Sequence, residues 1–173
     1  WWCCATTLAA GLSGRRRLNG STDYIDFPSV PQVNQATFAF FFTPLSLPTE
    51  PDRDILLTYW HEGETEPFVT HDKQLFLTPS GMVKARVYQN GVAIAAATTP
   101  LTIGTRYHVG FTVSGTTLTV YINGVARGTA AATGSFNGYG NPNLRLAGLV
   151  AGLEESPTTT RAHGDYTQLG EWN

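Results

Sequence analysis

Charge is scarce in this chain. Charged residues make up 14% of 173 and the formal net charge is −2, against a usual share near a quarter. Such a balance gives no general attraction to nucleic acid or to an anionic membrane surface. The only basic run, Arg15-Arg16-Arg17, is too short for a polyanion site and reads as a solvated loop. Cysteine is rarer still. The two cysteines, Cys3 and Cys4, are adjacent, and neighbouring side chains on a strand point to opposite faces, which excludes an ordinary disulfide between them. No disulfide framework or zinc spacing exists, so the core alone must carry the fold. The four histidines stand apart, at 61, 71, 108 and 163, without ligand spacing. No apolar run approaches a membrane span, no charged-then-apolar signal segment is visible, and no convincing amphipathic helix is present.

What fills the space is hydrophobic and turn-rich sequence. Hydrophobic residues are 42% and glycines number 18. The length suits one domain burying roughly 70% of its unfolded surface. The most informative run is Thr105 to Val125. Tyr107, Val109, Phe111 and Val113 alternate with His108, Gly110 and Thr112, and after Ser114-Gly115 the apolar set becomes Leu118, Val120 and Ile122. A period of two belongs to strands, and Asn123-Gly124 has the residues of a primed hairpin turn. Ala36 to Pro44 places Phe38, Phe40 and Phe42 on one face and Phe41 on the other. Further strands are predicted over 1–5, 54–60, 67–70, 74–78, 82–89, 92–97, 125–132, 144–149 and 164–172, with a second early region over 18–27. Asn90-Gly91 predicts another hairpin turn, and 134–143 and 154–161 are predicted loops. About a dozen strands without helices fit two packed antiparallel sheets. The expectation is all-β, with Phe38, Phe40, Val109, Phe111, Leu118, Val120 and Ile122 in one core between the sheets.

These motifs also resemble a family. An aromatic followed by His108-Val109-Gly110-Phe111-Thr112, a glycine turn, and Leu118-Thr119-Val120-Tyr121-Ile122-Asn123-Gly124 is similar to the signature hairpin of laminin-G-like domains, in the concanavalin A-like lectin superfamily. Leu18-Asn19-Gly20-Ser21-Thr22-Asp23-Tyr24-Ile25-Asp26-Phe27 resembles the early strand pair of that family. Ala36 to Pro44 resembles the strand after it, and Gly164 to Asn173 the closing strand. The resemblance implies a two-sheet antiparallel jelly-roll sandwich over a single domain, residues 1–173, read as cut from a longer chain or as a processed product because it opens on Trp1. Function does not follow from that fold, which hosts lectins, adhesion modules, glycosidases and virion parts.

Two places could recognise a ligand. Trp60 and His61 follow the strand Ile55-Leu56-Leu57-Thr58-Tyr59, and an aromatic ring at a strand end can stack on a sugar face. Asn137, Tyr139, Asn141 and Asn143 lie in or beside the glycine-rich loop, and asparagine amides donate and accept together, as sugar hydroxyls require. Trp60 packed under its own loop, and asparagines serving only as turn formers, are the competing readings. The resemblance implies that some glycosidases of the superfamily set their carboxylates at alternate positions of one strand, and Glu62-Gly63-Glu64-Thr65-Glu66 has that spacing. Retaining hydrolysis needs two carboxyls about 5 Å apart. Gly63, Thr65 and the following Pro67 make it a solvated loop instead. The resemblance further implies that calcium is sometimes held near one sandwich edge, and Asp23, Asp26 and Asp165 fall in the matching segments. Calcium takes six to eight oxygens, usually with several carboxylates.

The expected function is a non-catalytic recognition or adhesion module, binding glycan or a surface receptor. Expected locations are extracellular, on a cell surface or on a virion. The alternative is a structural virion component, a decoration, fibre or spike domain whose apolar start, Trp1-Trp2-Cys3-Cys4, contacts neighbouring subunits. A glycoside hydrolase is the third reading. No nucleic-acid partner and no membrane insertion are expected.

Overall fold

The computed structural model describes residues 14–20, 23–27, 35–49, 54–60, 73–89, 91–132, 143–146 and 162–172. Among them are twelve strands and no helix. The first sheet has the order β1 (Arg16–Asn19), β12 (His163–Trp172), β3 (Ala36–Pro44), β8 (Tyr107–Ser114), β9 (Thr117–Ile122) and β10 (Val125–Ala131). The second runs β2 (Ile25–Phe27), β11 (Asn143–Leu146), β4 (Asp54–Trp60), β5 (Lys73–Leu77), β6 (Val83–Gln89) and β7 (Gly91–Ala96). Every pairing is antiparallel.

The alternation legible in the sequence sets the register. Val109 faces Ile122, Phe111 faces Val120 and Val113 faces Leu118 across β8 and β9, and all six are buried. Asn123 and Gly124 take φ of 53° and 76°, the two positive angles of a type I′ turn. Asn123 fastens the turn: its Oδ1 accepts the His108 N–H at 2.9 Å, and its own N–H donates to the His108 carbonyl at 2.7 Å. On β3, Phe38 stacks on Phe111 at 5.2 Å, and Tyr166 of β12 meets Phe40 at 5.6 Å and Phe42 at 4.9 Å. Leu57, Leu75, Leu77, Val83, Ala85, Val87, Leu144 and Leu146 close the core from the second sheet. The expected inter-sheet core is therefore present residue for residue.

The sandwich is closed along one edge. Where β10 meets β7, a side chain at Gly128 would put its Cβ 1.8 Å from the Ala96 carbonyl oxygen. The backbone approach thus requires glycine, and β10 shifts register between Ala126 and Gly128 to present it. The Thr98 N–H then donates to the Arg127 carbonyl at 3.2 Å, joining the sheets.

Two expectations are corrected. The arginine run is not a loop, since Arg16 and Arg17 belong to edge strand β1 and pair with Tyr166 and Asp165 of β12. The early region 18–27 is split between sheets, β1 in the first and β2 in the second. Its crossing is held by reciprocal bonds of 3.1 Å, Asn19 N–H to Asp23 Oδ2 and Asp23 N–H to Asn19 Oδ1. The strands expected over 1–5 and 67–70 lie outside the described residues.

Candidate recognition surface

The second sheet brings the two candidate segments to neighbouring strand ends. β4 finishes at Trp60, β11 begins at Asn143, and these two residues are direct backbone partners. The segment that follows Trp60 and the one that precedes Asn143 therefore attach side by side, although the sequence keeps them far apart. His61, Asn137, Tyr139 and Asn141 lie outside the described residues, as do Glu62, Glu64 and Glu66.

Next to that end, one polar row crosses the sheet. By register it runs Asp26, Arg145, Thr58, Gln74, Arg86. Arg145 is 7% exposed. It donates Nε to Asp26 Oδ1 at 2.6 Å and Nη2 to Asp26 Oδ2 at 2.8 Å, a fork-on-carboxylate geometry that fixes the guanidinium plane. Its Cζ lies 3.8 Å from the Tyr24 ring centre, so the cation is held between an anion and an aromatic face. Further along, Gln74 is fully buried and its Oε1 accepts from Arg86 Nε at 2.8 Å and from Arg86 Nη2. Arg86 also lies over the Phe76 ring at 5.5 Å. The Gln74 Nε2 amide is buried with no acceptor among the described residues. Two oriented guanidinium groups and an amide thus line up near Trp60 and Asn143. Gln74 and Arg145 are buried and orient the row from beneath, whereas half-exposed Arg86 keeps N–H donors that suit the hydroxyl and carbonyl oxygens of a ligand.

The sequence missed this row for a physical reason. Arg145, Gln74 and Arg86 come from three strands, and only the pairing register makes them neighbours. A weak signal was available: on β6 the polar residues Lys84 and Arg86 alternate with Val83, Ala85 and Val87.

The three carboxylates expected at a calcium site are placed apart. Asp26 sits on β2 in the second sheet, paired with Arg145. Asp165 sits on β12 in the first sheet, where Arg15 and Arg17 both reach it. Asp23 accepts the Asn19 N–H. Among the described residues no three His, Cys, Asp or Glu side chains are grouped as metal ligands, so the residues present do not fit a shared calcium site.

On the outer face of the first sheet, Arg17 donates to Asp165 through Nε at 3.0 Å and Nη2 at 3.3 Å. That hydrogen bond holds the Asp165 carboxyl below the ordinary carboxylate value, with Arg15 adding to it and burial working against it. The same contact raises Arg17. His108, on the outer face as expected, tilts against Phe41 at 4.8 Å, and burial lowers its pKa.

A laminin-G-type family profile, described as the Concanavalin A-like lectin/glucanases superfamily, matches residues 19–161. The chain belongs to that superfamily. A search of curated proteins gives no match. Among solved structures, this laminin-G-like domain is similar to the CBM40 module of Ruminococcus gnavus IT-sialidase, solved bound to α2,3-sialyllactose. The two are 13% identical, with a TM-score of 0.73 over 96% of this chain and 91% of that one. The LG1-3 region of the laminin α2 chain is 14% identical, with a TM-score of 0.69 over 91% of this chain and 31% of that one. Trypanosoma rangeli sialidase is 16% identical, with a TM-score of 0.54 over 80% of this chain. The laminin-G-like domain spans only 20% of that sialidase chain. At these identities the likeness is one of fold.

Proposed function

We propose that this laminin-G-like domain is a non-catalytic recognition module that binds glycan at an extracellular, cell or particle surface. The observation that carries the reading is the backbone pairing of Trp60 with Asn143. It brings an aromatic and an asparagine-rich segment to one strand end beside the Arg145–Gln74–Arg86 row. An aromatic ring for the sugar face and fixed donors for its hydroxyls are the two elements such recognition uses. Superfamily membership supports the reading, as does a structural relative solved with a sialylated sugar bound.

A glycan array on the isolated domain tests it, beside the same array with Trp60→Ala and Tyr139→Ala. At least one of these variants is expected to lose binding of the wild-type hits while its melting temperature stays nearly unchanged. A blank array from a protein that is multimeric in solution would instead favour the assembly reading. Hydrolysis of a polysaccharide that disappears in Glu62→Gln, Glu64→Gln or Glu66→Gln would overturn the non-catalytic one.

A further inference from the structure

The far end of β12 is strained and held by a single side chain. Thr167 pairs with Phe41 of β3 and Gly170 with Ala39, so Gln168 and Leu169 stand opposite Phe40 alone. That is a β-bulge, and Gln168 takes φ of 54° within it. Glycine is the residue at ease in such a left-handed position, so glutamine there stores strain. Among the described residues β1 pairs only with 163–166 of β12, which leaves the stretch beyond the bulge held by β3 from one side. Beside the bulge, Arg106 reaches across β3 from the residue before β8. Its Nη2 donates to Thr167 Oγ1 at 3.1 Å, and its Cζ lies 4.1 Å from the Phe41 ring centre. The same ring meets the His108 ring at 4.8 Å. One aromatic ring thus carries a cation and a titratable imidazole, and that cation ties down the strained strand.

We propose that Arg106, Phe41 and His108 form an acid-released latch on the end of β12. When His108 takes a proton, a second cation sits against Phe41. The two distances to that ring place it within about 9 Å of the Arg106 guanidinium, inside a Debye length of about 10 Å at 0.1 M salt. Arg106 is exposed and free to swing into water, whereas His108 is half-buried on a strand paired on both sides, so Arg106 is the group that yields. No nearby carboxylate offsets the new charge. Neighbouring β3 has no titratable side chain, and β9 has only Tyr121. On β8 itself the other titratable group is Tyr107, whose hydroxyl oxygen accepts the Thr102 N–H, and Asn123 in the turn is uncharged. Asp165 stands beyond β3 on β12 and is engaged by Arg15 and Arg17. Once Arg106 leaves Thr167, relief of the Gln168 strain favours detachment of residues 168–172. Ala36 to Ala39 of β3 then present an unpaired edge, which an extended strand can join. Burial lowers the His108 pKa, so release sets in below 6.5.

Amide hydrogen exchange of the intact chain at about pH 7.5 and about pH 5 provides the test, each rate divided by that of an unstructured peptide at the same pH. Protection of amides 169–172 is expected to fall about tenfold or more on acidification, while β9 amides keep theirs. In His108→Gln the protection of 169–172 should be the same at both pH values. Arg106→Gln, a change at an exposed side chain, should show the lowered protection already at pH 7.5. Gln168→Gly should melt higher than the wild type and hold the segment in place at pH 5. The proposal is overturned if acid leaves 169–172 as protected as before, or if His108→Gln loses protection as the wild type does. Should His108→Gln fail to fold, Arg106→Gln decides: wild-type protection at pH 7.5 overturns the latch. A lower melting temperature in Gln168→Gly would equally overturn it, by removing the strain that drives release.

Discussion

At the residue scale the core is a set of aromatic contacts whose loss is measurable one side chain at a time. Phe111 has no exposed surface, stacks on Phe38 and pairs with Val120. Phe111→Ala removes that burial and leaves a cavity, so chemical denaturation should show a loss of about 3–5 kcal/mol. Acid sensitivity has two sources on the outer face of the first sheet. Burial lowers His108 from its ordinary 6.5; the unfolded chain then takes the proton first, and stability present above pH 6.5 is lost as pH falls below it. The bond from Arg17 lowers Asp165 from 3.8, so its contribution stays intact until pH falls through that lower range. Melting temperature should therefore drop in two stages on acidification. His108→Gln should remove the first from the profile, and Asp165→Asn should flatten the second while lowering stability at neutral pH. An unchanged profile in both variants would show that neither group controls acid stability. Alternation alone placed Phe41 and His108 opposite the core, because the period of two is a local property. It could not place Arg106 over Phe41, since that contact depends on which strand pairs with β8.

At the scale of elements, the strands that read clearly were those with their own turn chemistry. β3 and β4 have the bounds the pattern predicts, and the β8–β9–β10 meander follows its two turns. β1 was illegible because three consecutive arginines carry no apolar alternation. Only Leu18 of that strand is buried, and the strand exists because β12 offers it an edge and Asp165 offers its arginines a partner. The candidate surface was partly legible in the same sense: the residue types at Trp60 and Asn143 pointed to it, but their pairing did not. Gly128 marks another limit of local reading. Within β10 it is one small residue among several, yet in the fold it is where the two sheets touch. Gly128→Val should open this edge, lowering the melting temperature by several degrees and increasing amide exchange in β7 and β10 before the rest of the sandwich. Uniform exchange with unchanged melting would mean that the edge does not depend on this approach.

At the scale of the whole molecule, two polar arrays stand on opposite sides of one core. The Arg145–Gln74–Arg86 row belongs to the second sheet and the Arg15–Arg17–Asp165 cluster to the first. Sheets in such a sandwich pack about 10 Å apart, and the space between these two is filled by buried Phe, Leu and Val side chains. A substitution in one array therefore removes no contact of the other. Asp165→Asn should lower the melting temperature yet leave the glycan-array profile of the folded domain unchanged. Arg86→Gln should weaken the array hits, because Arg86 is a half-exposed member of the second-sheet row. An array profile altered by Asp165→Asn in the folded protein, with Arg86→Gln silent, would move the glycan to the first sheet.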